Sequence, residues 1–137
     1  MAAVETNRTL KVGPFVSFRF ESGVKQGNGL TATFTIDIDD PKRRDRELYR
    51  LAGIEESTYI ALNQERIPGL PTEYDERTSP DGKTSSMHWV RFKFIPEQIE
   101  KFKMLSVEAV LGLAHPAYSH MAVILPDTRA ELAKDFG

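Results

Sequence analysis

The chain has 137 residues, a formal net charge of −2 and no cysteine. This length is typical of one domain, so we expect residues 1–137 to fold as a single unit in which residues 1–10 are flexible. The small net charge gives no bulk attraction to nucleic acid or to an anionic membrane. The lack of cysteine excludes a disulfide, a thiolate nucleophile and a cysteine-ligated zinc or iron–sulfur site. No apolar stretch is long enough to span a membrane and the N-terminus does not resemble a signal peptide, so the expected location is cytoplasmic.

The first two predicted elements are strands, because apolar residues alternate with polar ones. One strand covers residues 12–21 and the other covers residues 30–39, each with one apolar and one polar face. Such alternation is typical of an antiparallel sheet that is covered on one side. The glycine-rich segment from Gly23 to Gly29 separates the two strands, and we expect it to be an exposed and mobile loop that proteases cut early.

Three strand-to-helix corners follow the same local pattern, in which an apolar strand end is followed by a proline and a charged run. The prolines are Pro41, Pro96 and Pro126. Proline suits the first turn of a helix, since its fixed φ fits there and its missing N–H would have no partner in any case. We therefore predict three helices. The first runs from Pro41 to Ala52, with Asp40 as its N-cap.

The remaining segments predict four more strands, at residues 58–62, 86–94, 107–113 and 121–125. The last two are apolar on both faces and are expected at the centre of the sheet. Asn63 to Thr84 is rich in proline and glycine and is expected to be a loop with at most a short edge strand. The predicted fold class is α+β: a mostly antiparallel sheet of about six strands with three helices packed on one face, in the order β-β-α-β-β-α-β-β-α. The residues predicted to be buried are Phe18, Phe20, Phe34, Ile36, Phe92 and Phe94.

Several of these segments, taken in order, resemble one family. They are KVGPFVSFRFE, LTATFTIDIDDPKRRDRELYRLAGIEE, DERTSPDGKTSSMHWVRFKFIPEQIEKF, LGLAHPAYSH and TRAELAKDF. Together they resemble a bacterial family known only as domain of unknown function 3501. The resemblance implies a shortened member, since the family's helical N-terminal segment and an inserted helical stretch are missing here. The family occurs beside rubrerythrin-like and iron–sulfur redox proteins, which implies a redox or peroxide-stress setting.

The strongest candidate site in the sequence is a metal site at His115 and His120. If a hairpin joins the last two strands, these histidines flank a four-residue loop and could face each other across its base, with Cβ atoms about 5 Å apart. Two such imidazoles could share a divalent metal, with His88, Glu21 or Asp37 as a third ligand. The alternative is that His115 caps a turn and that His120 packs at a strand end.

Four further patterns have structural interpretations that we favour over functional ones. The carboxylates at Asp37, Asp39 and Asp40 suit a helix N-terminus better than a cation or acid/base site. The segment Gly82-Lys83-Thr84 follows a type I turn and lacks the strand and helix of a phosphate-binding loop. The basic residues of the first helix are nearly cancelled by acidic ones. Trp89 and Arg91 lie opposite His88 and mark either a partner surface or a face under a helix.

These observations leave two hypotheses of different classes, because no catalytic or cofactor-binding residues can be assigned. The first is a non-enzymatic domain that acts through protein contacts, as a homodimer or as an accessory subunit of a redox system. The second is a metal-binding protein or metal-dependent enzyme with a site at His115, His120 and His88. Nucleic acid and membrane are not expected as partners, and a small-molecule ligand is left open.

Overall fold

The computed structural model describes residues 8–21, 27–72 and 77–136, and these form eight strands, one 3₁₀ turn and three helices. The strands are β1 Thr9–Val12, β2 Val16–Phe20, β3 Gly29–Ile36, β4 Thr58–Leu62, β5 Glu65–Pro71, β6 Met87–Lys93, β7 Ala109–His115 and β8 Tyr118–Val123. The helices are α1 Pro41–Arg50, α2 Pro96–Lys103 and α3 Pro126–Ala133, and the 3₁₀ turn is Ile54–Glu56. Residues 1–7 and 22–26 lie outside the described residues, so the mobility predicted there stays a prediction.

All eight strands belong to one antiparallel sheet in the order β1-β2-β3-β6-β5-β4-β7-β8. The two outermost strands, β1 and β8, lie beside each other, so the sheet curls into a nearly closed barrel. The α+β class, the antiparallel sheet and the three proline-started helices are therefore confirmed. The expected count of about six strands is inexact, and two particular segments account for the difference.

The first difference lies at Gly13, where the predicted strand over residues 12–21 is in fact a hairpin. Strands β1 and β2 pair with each other, with Val12 opposite Val16. Gly13 has φ of +76°, a conformation that a residue without Cβ adopts at no steric cost. Phe15, which breaks the alternation of the sequence, belongs to this turn. The apolar period continues through the turn, which is why the pattern alone indicates one strand.

The second difference is β5, which replaces part of the loop expected between Asn63 and Thr84. Residues 65–68 pair with β4, and residues 69–71 pair with β6. Each half of β5 is therefore paired with a neighbouring strand on one side only. Pro68 and Pro71 fit this arrangement because a proline lacks the N–H that a strand paired on both sides would require.

The interior of the barrel is filled by aromatic and aliphatic side chains. All six residues predicted to be buried are buried, which confirms that part of the prediction: Phe18, Phe20, Phe34, Ile36, Phe92 and Phe94. The rings of Phe18 and Phe34 lie 5.1 Å apart between centroids, across the β2–β3 pair. Tilted ring pairs of this kind add to the stabilisation that comes from burial.

The helices lie at the two ends of the barrel, and not in a layer over one face. Helix α1 lies at one end, where Thr84 N–H donates to Leu48 O and the Arg43 guanidinium lies over the Phe15 ring. Helices α2 and α3 pack against each other at the opposite end, around Phe102. The N-cap prediction for α1 is confirmed, since Asp40 Oδ2 accepts from Arg43 N–H at 2.9 Å.

The Tyr118 hydroxyl joins β8 to the β1–β2 hairpin and so closes the barrel. It donates to Val12 O at 2.6 Å and accepts from the N–H groups of Phe15 and Val16 at 3.1 and 3.2 Å. Burial raises the pKa of Tyr118 above its usual value near 10, although the two backbone N–H groups act in the opposite direction. The hydroxyl therefore stays protonated across the neutral range.

We expect Tyr118→Phe to lower the free energy of unfolding by about 1–3 kcal/mol, because three buried backbone groups lose their partner. The raised pKa means that this stabilisation is complete below about pH 10 and is lost as the pH rises through the folded-state pKa. The stability difference between wild type and variant, measured by urea unfolding, should shrink at alkaline pH. A difference that stays constant to pH 11 or so would contradict this account of the hydroxyl.

Candidate functional site

The structure gives His115 a turn-stabilising role at the β7–β8 hairpin. Its Nδ1 accepts from Ala117 N–H at 3.0 Å, so the ring proton lies on Nε2, which donates to Ala52 O at 2.9 Å. Both ring nitrogens are thereby engaged, in the manner of the turn-capping alternative. Coordination of a metal by His115 would require one of these bonds to break.

The expected juxtaposition of His115 and His120 is wrong. The hairpin has a two-residue loop, Pro116-Ala117, which places His115 opposite Tyr118 and His120 opposite Leu113. The two histidines are therefore diagonal neighbours on the inward side of the sheet. The His120 ring packs against the Tyr118 ring, with centroids 4.5 Å apart.

His88 points into the core. Its ring stacks on Phe34, with centroids 5.1 Å apart, and its Nε2 lies 2.9 Å from both Thr84 Oγ1 and Ser85 O. Of the suggested third ligands, Glu21 follows β2 at the opposite end of the barrel, and the Asp37 carboxylate accepts from Thr35 Oγ1.

A metal site built on His115, His120 and His88 stays a prediction. Within residues 8–21, 27–72 and 77–136, no three histidine, aspartate or glutamate side chains gather closely enough to hold an ion. Elemental analysis of the desalted protein after exposure to iron, zinc and manganese addresses the question directly.

The other sequence patterns adopt local structural roles. Gly82 N–H donates to Ser79 O at 2.9 Å, which forms the predicted turn, and Lys83 pairs with Asp45 of α1. Trp89 is half-buried on the outer side of β6, opposite in direction to the buried His88, as the alternation predicts. None of these groups assembles into a reaction centre with another.

Buried charged groups are also occupied in holding the fold together. Arg8 makes two hydrogen bonds of 2.9 and 2.8 Å to the Asp135 carboxylate, and this interaction raises the pKa of the guanidinium. Arg129 donates to four backbone carbonyls at the end of α2 and beyond it. The Glu55 carboxylate lies 3.8 Å from Arg77 Nε. These groups join segments distant in sequence, which is a structural role.

The surface feature that stands out is a row of large apolar side chains on the outer side of β8 and just beyond its end. The row, which we call the β8 ridge, comprises Met121, Val123 and Leu125, which are 66%, 48% and 60% exposed. They alternate with Ala122, half-buried against the core, and Ile124, which is buried. Three exposed large apolar residues at every second position of one extended segment are typical of an interaction surface.

The neighbouring strands carry further apolar side chains on their outer sides, but these are buried. Val110 of β7 pairs with Val123, and Ala61 of β4 pairs with Val110, so the three residues form one outward row. Tyr59, Ala61 and Val110 form a small apolar cluster separate from the barrel core.

Tyr59 is held flat on the outer side of the sheet. A Cβ at Gly112 would lie 2.4 Å from the Tyr59 ring, so only glycine at that position allows the ring to lie there. The Arg66 guanidinium covers the other side of the ring, with Cζ 4.1 Å from its centroid. Tyr59 is only 8% exposed although it lies outside the barrel. A guanidinium stacked in this way leaves its N–H edge available to a planar acceptor.

Two open hollows flank the Tyr59–Arg66 pair. One, of about 370 Å³, is bordered by Glu56, His115 and Pro116, and the other, of about 340 Å³, is bordered by Glu108, Val110 and Met121. In the described part of the chain, neither Arg66 nor either of these glutamates has a salt-bridge partner. We use the name contact face for the β8 ridge together with Tyr59, Arg66, Glu108 and Val110.

The sequence contains the signal for this face, but its interpretation depends on where β8 lies. Residues 121–125 are apolar at every position, which indicates a central strand buried on both sides. In the structure β8 is the last strand of the hydrogen-bonded order, and its outer row is exposed. The expectation of a central position for residues 121–125 is thus wrong, and the uncovered row is the functional candidate.

The fold and the contact face together define a nearly closed antiparallel α+β barrel whose most conspicuous outward feature is apolar. The chain belongs to the family described as "Protein of unknown function (DUF3501)", whose model matches residues 23–136. It is also similar to a crystal structure of a protein of unknown function from Burkholderia pseudomallei K96243, with 24% identity and a TM-score of 0.83. The match covers 99% of this chain and 87% of that chain, and it supports the fold alone.

No curated protein matches the chain at a significant level. Among the described residues, none of the helices has both the length and the apolar character required to cross a bilayer.

Proposed function

We propose that this protein is a non-enzymatic domain that acts through protein contacts, as a homodimer or as an accessory subunit of a redox or stress-response system. The observation that carries the proposal is the β8 ridge, where three large apolar side chains are 48–66% exposed at every second position of residues 121–125. The redox setting is the finer part of the proposal, and its support is the setting that the family resemblance implies.

The distribution of chemical groups supports the same proposal. Arg8, Asp135, Arg129 and His88 are buried and hydrogen-bonded within the fold. Tyr and Arg, which the contact face combines in the Tyr59–Arg66 pair, are enriched among residues that dominate protein interfaces. Apolar side chains around such a pair exclude water and strengthen its polar contacts.

Site-specific photo-crosslinking in the cells that produce the protein tests the proposal. A photoreactive phenylalanine analogue in place of Met121 should give a discrete cross-linked species, and Val123→Asp in the same chain should remove it. The matched control is the same analogue in place of Met87, which is 43% exposed on the outer side of β6. We expect no discrete species from that position. Absence of any species from position 121, or the same species from both positions, would contradict the proposal.

A further inference from the structure

We infer that the partner of the contact face is a second copy of this chain, bound through the same face in a two-fold arrangement. The inference rests on the proposed function, since it takes the contact face as the surface that binds protein. It adds the identity of the partner and the pair of charges that align the two copies.

The first argument is shape. The contact face carries a ridge and a hollow side by side, because Met121 belongs to the β8 ridge and also borders the 340 Å³ hollow beside Tyr59. In a two-fold contact the same patch is used by both copies and every residue pair occurs twice. The ridge of each copy can therefore lie in the hollow of the other. A face with a ridge alone would need a partner of different shape.

The second argument is charge. Arg66 and Glu108 border the same hollow, and the structure assigns neither of them a salt bridge within the residues it describes. The face thus presents one cation and one anion next to an apolar centre. Two copies in a two-fold arrangement pair Arg66 of each with Glu108 of the other. The stacking on Tyr59 orients the Arg66 guanidinium in advance, which reduces the entropy lost when the pair forms.

The third argument is that the apolar surface continues beyond the ridge. Leu125 is followed by Pro126, and Pro126 shares a groove with Leu105, another strongly exposed side chain. Stable interfaces commonly bury about 800 Å² on each partner, and this extension adds exposed apolar area to the three residues of the ridge. Since the exposed apolar area is moderate, we expect a weak dimer that dissociates on dilution.

A charge exchange between Arg66 and Glu108 tests the inference by sedimentation velocity of the purified full-length chain. The wild type should sediment as a dimer at about 100 μM and dissociate on dilution through the micromolar range. Arg66→Glu and Glu108→Arg should each weaken self-association by about tenfold or more, since each places like charges together twice. An equimolar mixture of the two variants should form a dimer again, because both charge pairs are then restored.

Two controls distinguish charge pairing from misfolding and from nonspecific association. Arg66 and Glu108 are both exposed. The far-ultraviolet circular dichroism spectra of the two charge-reversed variants should therefore match that of the wild type. Met87→Lys, on the other side of the barrel, should leave the dimer intact, whereas Met121→Lys should abolish it. A wild type that stays monomeric at about 100 μM, reversed variants that still dimerise, or a mixture that stays monomeric would each overturn the inference.

The outcome also distinguishes this inference from the proposed function. A monomeric wild type, with a cross-linked species at position 121 whose mass differs from twice that of the chain, would replace the second copy by a different protein. The proposed function would then stand and the dimer would not. A monomeric wild type without any cross-linked species would remove both.

Discussion

Replacing Arg129 with methionine is expected to lower the free energy of unfolding by about 3–4 kcal/mol. The guanidinium is buried and donates to the carbonyls of Lys101, Phe102, Met104 and Val107 at 2.6–3.1 Å. These carbonyls lie at and beyond the C-terminal end of α2, where helix carbonyls have no partner of their own. Methionine fills similar space but leaves them unsatisfied.

Among the residues that the structure describes, no carboxylate forms a salt bridge with Arg129. Burial lowers the pKa of the guanidinium, and the negative end of the α2 dipole provides the compensating interaction. Arg129→Lys keeps a cation there but cannot reach four carbonyls with one ammonium group, so an intermediate loss is expected. Lys134→Met, on the exposed side just after α3, is the matched control and should change stability by less than about 0.5 kcal/mol.

Urea unfolding followed by circular dichroism measures these differences. A loss below about 1 kcal/mol for Arg129→Met would mean that the carbonyls find water or other donors, and that α2 and α3 do not depend on this side chain. A loss for Arg129→Lys equal to that for Arg129→Met would show that the geometry of the guanidinium, and not its charge, is what matters.

The second large effect is expected for Phe34→Ala, at about 3–5 kcal/mol. Phe34 is completely buried and lies between Phe18 and His88, at centroid distances of 5.1 Å from each. Alanine leaves a cavity that neighbouring strands of a hydrogen-bonded barrel cannot close. It also removes the ring on which the His88 imidazole stacks.

Thr33→Ala is the matched control for this prediction, because Thr33 is adjacent in β3 but points to the outer side. We expect it to change stability by less than about 0.5 kcal/mol. Phe34→Leu should fall between the two, since it keeps most of the apolar volume. Equal losses for Phe34→Ala and Thr33→Ala in thermal or urea unfolding would mean that the inside and outside of this strand are wrongly assigned.

The contact face shows why a functional site of this kind is difficult to obtain from sequence. Met121, Val123 and Leu125 are apolar residues in an apolar segment, and burial is the ordinary expectation for them. Their exposure follows from the barrel architecture, in which the described helices lie at the two ends and leave the outer side of β8 uncovered. Arg66 and Tyr59 are seven residues apart with no recognisable motif between them. Their stacking depends on the β4–β5 pairing and on the missing side chain of Gly112.

The sequence by itself determined the local structure and the inner core of this protein. Alternation with period two identified the inward side of β2, β3 and β6, and the phenylalanines that it marked are buried. Proline after a strand end identified the first residue of all three helices, and Asp40 identified the first N-cap. These features depend on neighbouring residues in the chain, because dihedral preferences, side-chain period and capping bonds act over a few residues.

Only the tertiary structure decided how the strands are ordered and which surfaces are left uncovered. The turn at Gly13, the strand β5 and the closure by Tyr118 all depend on partners far away in the chain. The same is true of Arg8 with Asp135, which joins the two ends of the described chain. The free energy of the whole barrel determines which strands pair. Each local pattern determines only which side of a strand is apolar. The exposure of the β8 ridge is a consequence of that choice.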